Sequence, residues 1–459
     1  MCFKLSRRVV ALDIRPYFLY NNMYINNRSG GHRSACVCKM DILVVGGGGR
    51  EHTIIETLSR SPKCGKLYAA PGNGGISCLA ECLPIKATDI DGVVKAAKEK
   101  KVDLVFVAPD DPLVLGMVDR LEAEGIRAFG PRANAAIIEG SKVFSKDLMK
   151  KYGIPTAGYE VFTDSEEAIE YIKTQNKYPT VVKAEGLALG KGVIIAQNFD
   201  EAADAVRSIM CDRVFGEAGG RVVIEEFLVG QEISVLAFTD GKTVKPMVSA
   251  QDHKRAYDND MGPNTGGMGT FSPSRIYTPE IADICMKEIF EPTVKAMAAE
   301  GRAFKGVLYF GLMLSGGRVY VIEYNARFGD PETQVVLPRL KTDLVDIIDA
   351  VIDEKLDELT IEWSDNAAVC VVLASGGYPV KYEKGYEISG TDAFDGDDSI
   401  RVYHAGTEVK DGKFYTSGGR VLGVTALAED LDSAIKRSYD AVSKISFKDM
   451  HYRKDIGVK

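Results

Sequence analysis

The segment Met40–Leu58 constrains this chain more than any other. Asp41-Ile-Leu-Val-Val45 is an apolar run suited to a buried parallel strand, and it passes straight into Gly46-Gly-Gly-Gly49 and a helical pattern through Leu58. Strand, glycine turn and helix in that order open a doubly wound α/β domain. Strands predicted at Lys66–Ala70, Asp103–Val107 and Arg127–Phe129, with helices over Asp91–Lys100 and Leu113–Glu124, continue the alternation. The turn departs from a dinucleotide fingerprint, because Arg50 and Glu51 stand where a third glycine would let helix and strand pack closely. A phosphorylated small molecule at the helix N-terminus suits it better than NAD.

A helix over Ser141–Tyr152 ends at Gly153-Ile-Pro155, and a new unit follows. Thr163-Asp-Ser-Glu166 reads as an N-cap with an acidic first turn, leading into a helix over Glu166–Thr174. Strands over Thr180–Ala184, Val193–Ala196 and Arg221–Glu226, with a helix over Asp200–Met210, describe a small lid-like domain. Sheet strands resume near Glu232, and a long irregular loop is expected between Gln251 and Pro273. Helix Pro279–Ala299 and strands Gly306–Leu314 and Val319–Tyr324 come next, and a mainly β module closed by a helix over Asp432–Ser443 ends the chain.

At 459 residues, such a chain holds several domains. A composition of 45% hydrophobic and 27% charged residues excludes a disordered or fibrous protein. With 57 basic against 65 acidic residues and a net charge of -8, nucleic-acid wrapping is not expected. No run reaches the roughly 18 apolar residues of a membrane helix. Residues 1–39 are basic, with Lys4, Arg7, Arg8, Arg15, Arg28, Arg33 and Lys39 against Asp13 alone, and read as an extension outside the folded domains. Nine scattered cysteines, an odd number, fit reduced thiols in the cytoplasm rather than a disulfide framework.

Three motifs carry chemistry. In Val181-Val-Lys-Ala-Glu-Gly-Leu-Ala-Leu-Gly-Lys-Gly-Val193, glycines allow close backbone approach to a polyanion while Lys183 and Lys191 neutralise phosphate. It is not a Walker A loop, because Gly192 stands where a hydroxyl would be needed. Alternation along Val321–Arg327 places Glu323, Asn325 and Arg327 on one face, two oxygen ligands for a hard cation beside a guanidinium. The loop Gln251-Asp-His-Lys-Arg255 with Gly262–Gly269 combines charge with glycines that permit close approach to a ligand.

Taken in order, Gly47-Gly-Gly-Arg-Glu-His52, Ala70-Pro-Gly-Asn73, Glu139-Gly-Ser-Lys142, Gly190-Lys-Gly192, Gln251-Asp-His-Lys-Arg255, Asn325-Ala-Arg-Phe-Gly-Asp-Pro-Glu-Thr-Gln334, His404-Ala-Gly-Thr407 and Tyr452-Arg-Lys-Asp-Ile-Gly457 resemble the glycinamide ribonucleotide synthetase family of the ATP-grasp superfamily. The resemblance runs from Met40 to Lys459. It implies an ATP-grasp fold of mixed α/β and α+β domains: a Rossmann-like domain over 40–162, a lid over 163–229, a central domain over 230–363 and a C-terminal β-rich module over 364–459. Departures are Gly47, Glu185 and Asp110, and Gly311–Leu314 lacks the second metal carboxylate many superfamily members carry.

The resemblance also implies an activity: ATP activates glycine as glycyl phosphate, which 5-phosphoribosylamine attacks to give glycinamide ribonucleotide. On that reading Lys142 and Lys183 hold the ATP phosphates under a lid that includes Gly190, Lys191 and Gly192. Glu225, Glu226, Phe227 and Leu228 take adenine, and Glu232 takes ribose. Glu323 and Asn325 hold Mg2+ or Mn2+. Arg327, Lys254 and Asp252 are the catalytic group. Gly48, Gly49, Arg50 and Glu51, with Gly266, Gly267, Asp330 and Arg420, form the substrate side. The implied partners are small molecules only, with no nucleic acid or membrane, and the implied state is a cytoplasmic monomer. Another ATP-grasp ligase or a non-enzymatic nucleotide-binding protein remains open, and glycine-dependent ADP release separates them.

Overall fold

The computed structural model describes residues 39–187 and 192–458; the extension at 1–38 and the lid-loop residues Gly190 and Lys191 lie outside them. A five-stranded parallel sheet in the order 81–82, 64–71, 40–46, 104–107, 127–129 begins the fold. Strand Met40–Gly46 sits at its centre, buried from Leu43 through Val45, as its apolar run requires. The crevice where strand order reverses lies at the carboxyl ends of strands 40–46 and 104–107, beside Arg50 and Asp110. Gly46 turns the chain there with φ +118°, and a Cβ would lie 2.6 Å from Cγ of Glu51.

One predicted helix is two. The pattern over Leu113–Glu124 splits into Asp110–Val114 and Met117–Ala123, because Gly116 adopts φ +86° and breaks the hydrogen-bond ladder. A helix over Ala133–Gly140, absent from the sequence reading, precedes helix Lys142–Tyr152.

The lid sheet is antiparallel, in the order 159–162, 222–226, 180–184, 193–196. Its first strand thus lies ahead of the expected start at 163. Asp164 caps helix Ser165–Gln175 by accepting from the N–H groups of Glu166 and Glu167. The central sheet runs 244–246, 231–240, 305–315, 318–325, all antiparallel.

The C-terminal sheet also crosses an expected boundary. Strand Gln251–Asp252 pairs with Gly269–Ser272, which in turn pairs onto Ala367–Ser375, so the segment read as an irregular loop contributes two strands, plus a hairpin of Arg255–Tyr257 with Met261–Asn264. These strands are too short to show a periodic pattern.

Phe328 ties the domains together. Its ring lies 6.2 Å from Phe106 of the parallel sheet and 6.0 Å from Phe238 of the central sheet. Burying such a ring contributes about 1.5–3 kcal/mol, and it also fixes the backbone next to Arg327.

Candidate functional site

The side that the resemblance assigns to the nucleotide is built from two elements that face each other. Lys142 opens helix Lys142–Tyr152, whose N-cap Ser141 accepts from Phe144 N–H at 3.1 Å. Its Nζ donates to the carbonyl of Gly186 at 2.9 Å, where the lid loop leaves strand 180–184. Lys183, buried on that strand, lies 2.9 Å from Oε1 of Glu225 on the neighbouring strand, and its Nζ also donates to the carbonyl of Ile322 at 3.3 Å.

Glu225 does not offer itself to adenine as the sequence suggested. Its second oxygen is 2.9 Å from Nζ of Lys146, so one buried carboxylate holds two buried lysines. Lys146 was missed; its signal was its place one helical turn beyond Lys142, on the same face. Burial pushes the Lys146 ammonium down to about 8 against the pull of Glu225, with Lys183 adding to the depression. Burial likewise holds Lys142 below the usual lysine range although Glu323 opposes it. Glu226 is exposed, Phe227 and Leu228 are half-buried, and Gly192 accepts Ala184 N–H at 2.8 Å. Glu185 is engaged by Arg221, Nε donating at 2.7 Å, and by Ser141.

Glu323 owes its direction to a bulge. Val319 and Val321 point into the core, so strict alternation would send residue 323 there too. The register with strand 305–315 slips instead, Gly311 facing Glu323 and Leu312 facing Val321, and the extra residue Ile322 turns Glu323 and Asn325 outward while Tyr324 and Ala326 take the core side. Glu323 then meets cations: partial burial opposes its ionisation, but Lys254, Lys183, Lys142 and Arg327 together hold its carboxyl below the usual range. Among the described residues no cluster of three histidine, cysteine or acidic side chains is placed to hold a metal. Glu323 and Asn325 are hard oxygen donors, and an ionised carboxylate suits a divalent cation.

Lys254 stands between two carboxylates, its Nζ 2.9 Å from Oε2 of Glu232 and 3.8 Å from Oε1 of Glu323. Glu232, expected at the ribose, is therefore engaged by Lys254. Glu232 first, and then Glu323, raise the Lys254 ammonium well above its ordinary value.

Arg327 is held from the parallel-sheet domain. Its Nη2 is 2.9 Å from Oε1 of Glu139 and 3.6 Å from Oδ2 of Asp110, and Oε2 of Glu139 accepts Ala326 N–H at 2.7 Å. Burial pushes the Glu139 carboxyl up to about 7 in spite of Arg327. No role for Glu139 was read from the sequence, although it stands just ahead of Lys142, in the last turn of helix Ala133–Gly140.

On the substrate side the structure corrects an expectation. The N-terminus of helix Gly49–Ser59 is not free for a phosphate, because two carboxylates already occupy it. Oε2 of Glu51 accepts Gly48 N–H at 2.6 Å, and its other oxygen accepts from Nε of Arg50 at 2.6 Å. Asp330 lies over the same turn, close enough that a Cβ on Gly48 would come within 3.3 Å of its Oδ2, and a Cβ on Gly49 would lie 2.6 Å from Nε2 of Gln334. Burial works against the Asp330 charge, yet Arg420 and Arg50 keep its carboxyl below the ordinary range. A turn lined this way suits hydroxyl and amine donors.

Arg420 closes the site from the C-terminal sheet, donating from Nη1 to the carbonyls of Gly266 at 2.6 Å and Asp330 at 2.8 Å. Asp252 accepts His253 N–H at 2.7 Å and lies against Gly267, whose φ of +109° leaves no room for a side chain. Burial, and then Glu332, raise the Asp252 carboxyl well above its usual value.

Two histidines pin the first helix to the C-terminal sheet. Nδ1 of His52 accepts His404 N–H at 2.8 Å, so this ring nitrogen must be unprotonated. Burial, with His404 nearby, pushes His52 down to about 3, and burial pushes His404 down to about 4, from 6.5. Groups lowered in the fold contribute stability that is complete above pH 6.5 and lost as pH falls toward 3–4. The unfolding free energy should fall by up to about 1.4 kcal/mol per pH unit for each imidazole in that window. Urea titrations at pH 7 and pH 5 measure it, and His52→Gln should flatten the slope; an unchanged slope contradicts the assignment.

The chain matches three family descriptions in order: Phosphoribosylglycinamide synthetase N domain over 40–139, ATP-grasp (A) domain over 140–333 and C domain over 368–459. It is 50% identical over 424 residues to a phosphoribosylamine–glycine ligase of Halalkalibacterium halodurans, covering 92% of this chain and 97% of that one. A ligase of the same name from Caldanaerobacter subterraneus is 48% identical, over 91% of this chain and 99% of its own. Among solved structures, the phosphoribosylamine–glycine ligase of Thermotoga maritima superposes with a TM-score of 0.80 at 35% identity, covering 91% of this chain and 100% of that one. The biotin carboxylase domain of a Hydrogenobacter thermophilus carboxylase, at 17% identity and a TM-score of 0.70 over 90% of this chain and 92% of its own, shares the fold. With every domain matched in sequence order and relatives aligned over nearly their full length, the chain belongs to the phosphoribosylamine–glycine ligase family, the phosphoribosylglycinamide synthetases, built on the ATP-grasp fold.

Proposed function

We propose that the chain carries out its family's ATP-dependent ligation in two steps inside this cleft. The γ-phosphoryl group of ATP passes to a carboxylate oxygen of glycine, releasing ADP. The amine of 5-phosphoribosylamine then attacks the carbonyl carbon of glycyl phosphate, phosphate leaves, and the new amide nitrogen loses a proton. The products are glycinamide ribonucleotide, ADP and phosphate, a step of purine biosynthesis.

The observation that carries this reading is the place of Lys254, 2.9 Å from Glu232 and 3.8 Å from Glu323, with Lys183, Lys142 and Arg327 near enough for their charges to act on the same Glu323 carboxylate. Phosphoryl transfer asks for positioning and charge neutralisation more than for a protein nucleophile, and no nucleophile is needed here. Lys142 and Lys183 face the phosphates, with Lys146 and Glu225 behind Lys183 keeping it in place. Phe227, Leu228 and the backbone beside Glu226 offer the apolar slot and edge contacts for adenine. Glu323 and Asn325 would hold Mg2+ or Mn2+, which supplies neutralisation of the phosphate oxygens when bound. Arg327, oriented by Glu139 and Phe328, stabilises the transferring phosphoryl group. Lys254 and Asp252, with Gly266 and Gly267, border the glycine side, and Asp330, Arg50 and Arg420 border the ribose.

No helix among the described residues is long and apolar enough to cross a membrane. We place the enzyme in the cytoplasm as a monomer; six described cysteines without disulfides support a reducing compartment, and light scattering tests the monomer. The reaction is tested by measuring ADP and glycinamide ribonucleotide in one tube, omitting glycine and phosphoribosylamine in turn. Equal amounts of both products, each dependent on glycine, are expected. ADP release without glycine, or ligation of another carboxylic acid in preference to glycine, overturns the assignment.

A further inference from the structure

Arg453, six residues from the end of the chain, is completely buried, yet it lies outside the site. Its Nε and Nη2 form a two-pronged pair with Asp455 at 2.7 Å each, while Nη1 donates to Oδ1 of Asp260 at 2.9 Å and to the carbonyl of Arg255 at 3.2 Å. Neighbours repeat the connection. Asp455 accepts Asn259 N–H at 2.8 Å, Asp258 accepts Lys454 N–H at 2.8 Å, and Nε2 of His451 donates to the carbonyl of Ala256 at 2.8 Å. Apart from the Arg453–Asp455 pair, which lies within the segment, every one of these bonds joins segment 451–455 to the hairpin 255–264.

That hairpin cannot hold itself. Two short strands alone are marginal in water, and its tip places two consecutive non-glycine residues, Asn259 at φ 60° and Asp260 at φ 57°, in the left-handed region. Such a conformation persists where surrounding contacts over-determine it, and here both tip residues are bonded to the tail. At its base the hairpin grows directly out of Lys254, whose carbonyl accepts from N–H and Oγ1 of Thr265 at 2.8 Å each. The Lys254 ammonium then reaches Glu232 and Glu323.

We infer that segment 451–455 is a strap and that Arg453 is a positioning residue: by fixing the hairpin it sets Lys254 against Glu232 and Glu323, and so governs the glycine side of the cleft. The inference rests on the reading of Lys254 given above. A charge so buried and so fully bonded also explains why an arginine stands there, since its planar fork satisfies two carboxylates and a carbonyl that a lysine cannot all reach.

Full-length Arg453→Met, Arg453→Lys, Asp260→Asn and Lys254→Met variants test it by steady-state kinetics, ATP calorimetry and hydrogen exchange of residues 255–264. Arg453→Met should speed exchange in the hairpin and raise the KM for glycine by roughly tenfold, a loss of contacts to one substrate alone, with ATP affinity unchanged. Millimolar methylguanidinium should restore part of the loss. Asp260→Asn, at an exposed position, should shift the same two readouts less, and it decides the matter if Arg453→Met fails to fold. A faster-exchanging hairpin with normal glycine KM, or a loss that falls equally on ATP and glycine in proportion to the folded fraction, overturns the strap. Normal glycine kinetics in Lys254→Met would instead sink the assignment of Lys254, whereas an impaired Lys254→Met beside unaffected Arg453 variants sinks the strap alone.

Discussion

Glu323→Gln is expected to lower turnover by about 10²–10³-fold, the usual cost of losing one preorganised electrostatic group at a transferring charge, while leaving the melting temperature almost unchanged. The two effects separate because the side chain is isosteric and partly exposed, on a strand whose core contacts come from Val319, Val321, Tyr324 and Ala326. What the substitution removes is the negative charge that Lys254, Lys183, Lys142 and Arg327 surround. Lys254 keeps Glu232 and Lys183 keeps Glu225, so no cation is stranded by the change. A divalent cation held by Glu323 and Asn325 would bind more weakly, and the Mg2+ concentration for half-maximal rate should rise. Turnover and a Mg2+ titration identical to those of the unaltered enzyme would remove Glu323 from the metal site.

Glu225→Gln should act on stability. The carboxylate is buried between Lys146 and Lys183, both buried themselves. Taking away one partner of a buried pair costs about 3–5 kcal/mol, because the remaining charge has lost its compensation. A ceiling exists, since an ammonium can release its proton. For Lys146, already held down at about 8 in the fold, giving up its proton at pH 7 limits its share of the added cost to roughly 1.4 kcal/mol, at about 1.4 kcal/mol per pH unit. Adding Lys146→Met to Glu225→Gln should recover the part of the loss that Lys146 carries, and what remains is the cost of leaving Lys183 buried without Glu225. Chemical unfolding of the single and double variants, with ATP calorimetry on each, reads both effects. A double variant no more stable than Glu225→Gln would show that the two lysines do not share Glu225 in the way the distances indicate.

Local pattern was readable wherever a short run of residues decides the outcome. The apolar run at Ile42–Val45 with its glycine turn and the Asp164 cap are properties of neighbouring residues, and the structure places them where the sequence put them. The outward direction of Glu323 came out as expected for a reason the sequence did not display, namely the slip at Ile322. Alternation counted from Val321 forward would have buried it.

The partners of charged groups followed another rule. Glu225 read as a ligand-facing acid at a strand end, and only the approach of helix Lys142–Tyr152 makes it the counter-charge of two lysines. The helix at Gly49 read as an anion site until Asp330, from a distant part of the chain, was found over it. Arg453 carried no visible role, because its partners Asp260 and Arg255 are almost two hundred residues earlier.

By itself the sequence determined the family and the order of its domains, since strand, turn and helix signals arise from residues a few positions apart. Tertiary structure alone decided which carboxylates remain free for ligands and which hold a lysine or arginine in place. The reason is physical: a charge buried on folding must find an opposite charge or a hydrogen bond nearby, and what lies nearby in the fold is not set by separation along the chain.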